Sequence, residues 1–208
     1  MSKLNLLFSL AVFLTIPCIL NGQTMADALY NGTQVTWVGL DFSNAKFVPA
    51  VEFTEVDADP QLAILKWNNL LEQEPEKFNL CKALESTRCS TNTSFMRKVH
   101  EGLTSEELLG RESYSLDKAE IPGMVKDYDT KGEGVGVVFI VSSFDKTQNM
   151  AEYWVTFFNM ETKEILHTQR LAAKPSGFGM RNYWAGSVYQ ALKTIQKNHL
   201  NTWRTQFR

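Results

Sequence analysis

Residues 127–141, DYDTKGEGVGVVFIV, combine three acids with three spaced glycines. The acids suggest a calcium loop and the glycines a phosphate cradle. An EF-hand needs oxygen ligands at its first, third and fifth positions and a bidentate Glu at its twelfth. Counted from Asp127, the fifth place holds Lys131 and the twelfth Val138, so a cation and a hydrophobe stand where ligands are required. Gly132, Gly134 and Gly136 precede a strand-like run. A dinucleotide fingerprint instead follows a strand and opens a helix whose amides face the pyrophosphate. Neither a calcium nor a nucleotide site is complete.

Other residue types fare no better as chemistry. His100, His167 and His199 are far apart and lack H-x-x-x-H spacing, so no metal ligand set is expected. Ser142 and Ser143 close a central strand-like run and are followed by Asp145, which would suit a nucleophile served by a distant histidine. No G-x-S-x-G elbow surrounds them, so a capped turn is the leading reading and a secreted hydrolase the alternative. Trp37, Trp67, Trp154 and Trp184 would suit either the core or an aromatic cavity for a small ligand. Glu161 and Glu164 flank a hairpin turn and read as solvated charges. No catalytic, cofactor-binding or metal-binding residue is assigned, and no cofactor is expected. The one candidate contact is a loop at residues 177–181, where Phe178, Met180 and Arg181 are side-chain types enriched at interfaces. Alternatively, Phe178 and Met180 plug the end of a sheet.

These residues sit in a chain of 208, 44% hydrophobic and 21% charged, as in a globular protein able to bury a core. The formal net charge of −2, without any block of like charge, gives no reason to bind nucleic acid. Lys3 and the apolar run LNLLFSLAVFLTIPCIL read as a secretory signal peptide over residues 1–22, with 26 as the alternative end. Cleavage as a lipoprotein at Cys18 fits less well, because Pro17 precedes that cysteine. No later stretch approaches the ~20 apolar residues of a membrane span. Residues 23–208 are expected to form a single globular α/β domain in the periplasm or outside the cell. Removal of the leader leaves Cys81 and Cys89, an even number that favours a disulfide in an oxidising compartment; two buried free thiols are the alternative.

Periodicity places the elements. A first strand is expected over residues 34–42, with Val35, Trp37 and Leu40 inward. Asp59-Pro60 should cap a helix reaching Gln73, with Ala63, Ile64, Trp67, Leu70 and Leu71 on its core stripe and Asn68, Asn69 and Glu72 facing away. Thr104 and Glu107 have capping-box spacing, and a further helix is expected over residues 117–128. The run from Gly134 to Ser142 reads as a central strand covered on both faces. Residues 152–159 and 164–171 form a hairpin, with Tyr153, Val155 and Phe157 alternating with Trp154, Thr156 and Phe158. Trp184, Val188, Ala191 and Ile195 mark one stripe of a long final helix. The fold class expected is α/β (α+β): a mixed central sheet with a C-terminal hairpin and a long C-terminal helix packed on it.

The order GLDF, then YWVTFFNMETKEIL, then GFGMRNYWAGSVYQALKTIQK is similar to uncharacterised secreted proteins of Bacteroidetes. More remotely, it resembles the α/β domain of curli-secretion lipoproteins, penicillin-binding-protein activators and the N-terminal domain of the Tol-system β-propeller protein. The resemblance rests on a strand pattern and carries no functional residue across. It implies a non-enzymatic role in the cell envelope, binding or helping to assemble another envelope component.

Overall fold

The computed structural model describes residues 23–208. The expected leader, residues 1–22, and Cys18 lie outside the described residues. A short helix α1 (Met25–Leu29) opens the fold, capped reciprocally by Thr24 and Asp27. It leads to β1 (Val35–Asp41) and the three-residue β2 (Lys46–Val48). Helices α2 (Thr54–Ala58), α3 (Pro60–Gln73) and α4 (Leu80–Leu84) follow, then β3 (Cys89–Thr91). Three short helices, α5 (Met96–Val99), α6 (Ser105–Leu108) and α7 (Ile121–Lys126), cross to β4 (Val135–Asp145). β5 (Met150–Asn159) and β6 (Ile165–Ala173) make the hairpin. Helix α8 (Met180–Thr194) passes through a π-helical turn (Ile195–His199) into α9 (Leu200–Gln206).

The strands form one mixed sheet, ordered β3-β1-β4-β5-β6, with β2 also paired to β4. β1 runs parallel to β3 and β4, whereas β4, β5 and β6 are antiparallel. β4 is buried along its whole length. Its Val135, Val137, Phe139 and Val141 enter the larger core, while Val138 and Ile140 enter the smaller one. The two-residue period thus explains why this strand reads as a continuous apolar run: both of its faces are covered. The stripe that runs from α8 into the π-helical turn packs into the larger core, with Trp184, Val188, Ala191 and Ile195 all buried.

Several local expectations need correction. The single helix expected over 117–128 is a 3-10 turn (Lys118–Glu120), capped by Asp117, followed by α7. β4 continues past Ser142 to Asp145, so both serines lie inside the strand. Asn68 is 3% exposed and faces inward rather than toward water.

Cys81 of α4 and Cys89 of β3 are joined by a disulfide, with a sequence separation of 8. It fastens an edge strand of only three residues to the helix beneath it. Restricting the unfolded chain over so short a loop stabilises the fold by about 2 to 3 kcal/mol. Reduction with dithiothreitol should lower the urea midpoint correspondingly; an unchanged midpoint would show that the bond holds nothing the core does not already hold.

Candidate functional site

β1 and β2 lie along the same edge of β4 as one interrupted strand: Asp41 pairs with Ile140, and Lys46 with Ser143. Residues 42–45 leave the ladder between them, so their amides need other partners. Phe42 N–H donates to His100 Nε2 at 3.0 Å, Ser43 N–H to Asp41 Oδ1 at 2.8 Å, and Ala45 N–H to Phe42 O at 3.0 Å. On its other edge, β1 is paired with β3 only through residues 35–37. Asn68 of α3 serves Leu40 there: its Oδ1 accepts from Leu40 N–H at 2.8 Å, and its Nδ2 donates to Leu40 O at 3.0 Å. Gly39 permits this approach, with φ +114° and only 2.4 Å between the place of a Cβ and Asn68 Oδ1.

A buried polar cluster forms where the strand breaks. Asp41 is 0% exposed, and Tyr128, just after α7, donates its hydroxyl hydrogen to Asp41 Oδ2. Burial alone would push the Asp41 carboxyl up, but the His100 ring, the Tyr128 hydroxyl and the Ser43 amide outweigh it and hold the group below its ordinary value. His100 Nε2 lies 3.5 Å from Asp41 Oδ1. With Nε2 accepting from Phe42 N–H, Nδ1 carries a ring hydrogen, and the shortest hydrogen bonds to Asp41 come from Tyr128 and Ser43. Burial, then the Asp41 charge and the hydrogen bond to it, hold the Tyr128 phenol well above its ordinary value.

The cluster is flanked by two depressions. On one side, His100 lines a groove of about 670 Å³ between the first turns of α3 and the segment 93–103, with Leu62, Leu65, Met96, Arg97 and Leu103 among its walls. On the other, Tyr128 borders a hollow of about 650 Å³ beside α7.

The serines flagged by sequence belong elsewhere. Ser142 Oγ accepts from Leu116 N–H at 2.7 Å, and among the described residues neither serine hydroxyl hydrogen-bonds a His or Lys side chain. Asp145 accepts from the Ser113 hydroxyl and the Gln148 amide, tying two loops together. Among the described residues no group of three His, Cys, Asp or Glu side chains is placed to hold a metal ion. The tryptophans do not make a cavity. Trp67 packs against Phe42 and Phe47, Trp184 stacks on Phe144 at 4.6 Å, and Trp37 meets Phe139 in the same core. Trp154 is half-buried against the opposite core, its Nε1 donating to Leu116 O.

The loop before α8 is anchored at both ends. Ser176 N–H donates to Tyr183 O, and Gly186 of α8 packs so tightly on the loop that a Cβ would lie 1.9 Å from Ser176 O. Trp67 Nε1 donates to Arg181 O at 3.0 Å, and Met180 is partly buried against the larger core. Phe178 is 95% exposed. Met180 thus helps close the core, but Phe178 plugs nothing. Lys174, four residues earlier in the chain, is exposed, and Lys146 Nζ lies 3.8 Å from the centre of the Tyr183 ring.

Asn68, His100, Tyr128 and Asp41 escape a reading by motif. Only Asn68 carries a sequence signal: Ile64, Asn68 and Leu71 recur at the spacing of the buried stripe, which places a polar side chain inside.

Among known proteins, no family model and no curated protein matches the chain. Among solved structures, the chain is similar to the C-terminal domain of LpoB from Salmonella enterica. The identity is 11%, covering 73% of this chain and 96% of that one, with a TM-score of 0.29. A likeness that loose carries no argument for a shared role.

Proposed function

We propose that this is an exported, non-enzymatic protein that binds another envelope protein through residues 177–181. The observation that carries the proposal is Phe178, 95% exposed on a loop whose ends are fixed to α8 and to Trp67. Covering such a side chain contributes about 2 to 3 kcal/mol, and fixed aromatic anchors lose little entropy on binding. Lys174 and Arg181 bring positive charge to the chain on either side of Phe178, and Lys146 brings it to Tyr183 in the first turn of α8. The fitting partner surface is therefore an apolar socket with an acidic rim.

The Cys81–Cys89 bond supports a periplasmic or secreted location, and no helix among the described residues is long and apolar enough to cross a membrane. A mature chain beginning at Gln23 is supported by two contacts. Gln23 Oε1 accepts from Gly134 N–H at 2.9 Å, and Thr24 caps α1, whose Met25 is buried. Cleavage after Ala26 would remove all three residues.

A photoreactive phenylalanine analogue at position 178 tests the proposal in cells. It should give one adduct of defined mass with an envelope protein, and the same analogue at exposed Lys197 should give none. No adduct, or equal adducts from both positions, would contradict it.

A further inference from the structure

We propose that the groove between α3 and α5 is a binding site for an aliphatic carboxylate: a medium-length hydrocarbon chain ending in a carboxyl group. This site is separate from the loop at 177–181. Its volume, about 670 Å³, is within the ~300–1,000 Å³ span of small-molecule sites. Leu62 and Leu65 expose 44% and 37% of their surface at its margin, on a helix whose other apolar side chains are buried. With Met96 and Leu103 they make aliphatic walls and leave the groove without a Phe, Tyr or Trp side chain, which suits a chain of methylenes rather than a flat ring.

Two donors give the site its polarity. Arg97 lines the groove, is exposed, and makes no ion pair or hydrogen bond among the described residues. The His100 side chain is only 8% exposed, and its Nε2 is committed to Phe42 N–H. Its Nδ1–H therefore remains as a donor, and this nitrogen has no partner among the described residues although the residue lines the groove. A carboxylate bridging this Nδ1–H and the Arg97 guanidinium would give both donors one charged acceptor at the groove wall. The first turn of α3 adds the positive end of a 14-residue helix. Asp59, the one acid in the groove, is used at that terminus, where its Oδ1 accepts from Leu62 N–H. Asn68, also in the lining, has its amide engaged on both sides by Leu40. The unmatched chemistry in the groove is thus that of donors set beside aliphatic walls.

The test is titration of the full folded chain with sodium decanoate, below its micelle concentration. Calorimetry would follow affinity and NMR the ring nitrogens of His100. Saturable one-to-one binding is expected, with the Nδ1 resonance moving on titration. Arg97→Gln should weaken it by about tenfold or more, since a charge-assisted bond is lost. Decanol, which has the chain without the carboxylate, should bind weaker by a similar factor. Leu65→Asp should also weaken decanoate, while Phe178→Ala should bind it as the parent does. Absence of saturable binding, equal affinity for decanol and decanoate, or affinity unmoved by both Arg97→Gln and Leu65→Asp would overturn the proposal. Melting curves of both groove variants, whose altered residues are on the surface, verify that they fold.

Discussion

Replacing Asp41 by Ala is expected to destabilise the fold by about 3 to 5 kcal/mol, the range for removing one partner from a buried charged network. The carboxylate is 0% exposed and accepts from Tyr128 and from the Ser43 amide at the break between β1 and β2. Without it, a buried phenol and a half-buried amide lose their acceptors, and nothing apolar is gained that would offset them. The same cluster sets a pH dependence. Asp41 is held below its ordinary value in the folded protein, so folding favours its charged form. Its stabilisation is complete above the unfolded value of about 3.9 and is lost as the pH falls through the lower folded value. Tyr128 is held well above its ordinary value. Its contribution is complete below the unfolded value of about 10 and is lost as the pH rises toward the folded one. Urea denaturation across pH should therefore show an acid limb that is shallower in Asp41→Asn and an alkaline limb that is shallower in Tyr128→Phe. Limbs of unchanged slope in both variants would show that the cluster is not the source.

Asn68→Ala is expected to cost about 3 kcal/mol, because two buried backbone groups lose their partners at once and each such loss costs about 1–3 kcal/mol. Asn68 completes the edge of β1 in place of a strand: Leu40 N–H and Leu40 O are both satisfied by one side-chain amide. Asn68→Asp separates the two bonds. It keeps an acceptor for Leu40 N–H, removes the donor for Leu40 O, and buries a charge, so it should be at least as damaging as the alanine. Equilibrium unfolding would measure both variants. A cost below about 1 kcal/mol for Asn68→Ala would mean that water replaces the amide at this edge.

What could be read from the sequence follows the range of the interactions involved. Helix α3 begins where Asp59-Pro60 places it because an N-cap and a first-turn proline act within one turn; Asp59 Oδ1 accepts from Leu62 N–H. β4, the hairpin and the stripe of α8 were legible because each carries its own period of burial. β2 and β3 were not, since three residues each carry no period and owe their strand geometry to β4 and β1. The polar cluster was the least legible part. Asp41, His100 and Tyr128 lie far apart in the chain, and only the break in β1 brings them together. Asn68 was misplaced because its polarity suggested water, whereas its position on the stripe pointed to the bare edge of a strand. The loop residues Phe178, Met180 and Arg181 were visible as types, but only the fold separates them: Met180 turns to the core, Arg181 offers its carbonyl to Trp67, and Phe178 stands in solvent.

That separation gives the central claim its most direct measurement: recovery of a partner from the solubilised envelope fraction by the immobilised chain, compared between parent and Phe178→Ala, with the melting temperature of each. The parent should retain one protein reproducibly. Phe178→Ala should retain it about thirtyfold less or worse, the equivalent of the roughly 2 to 3 kcal/mol contributed by one buried aromatic anchor, while melting as the parent does. Equal recovery by the two chains, or a loss of recovery that merely follows a lowered melting temperature, would contradict a docking role for this loop.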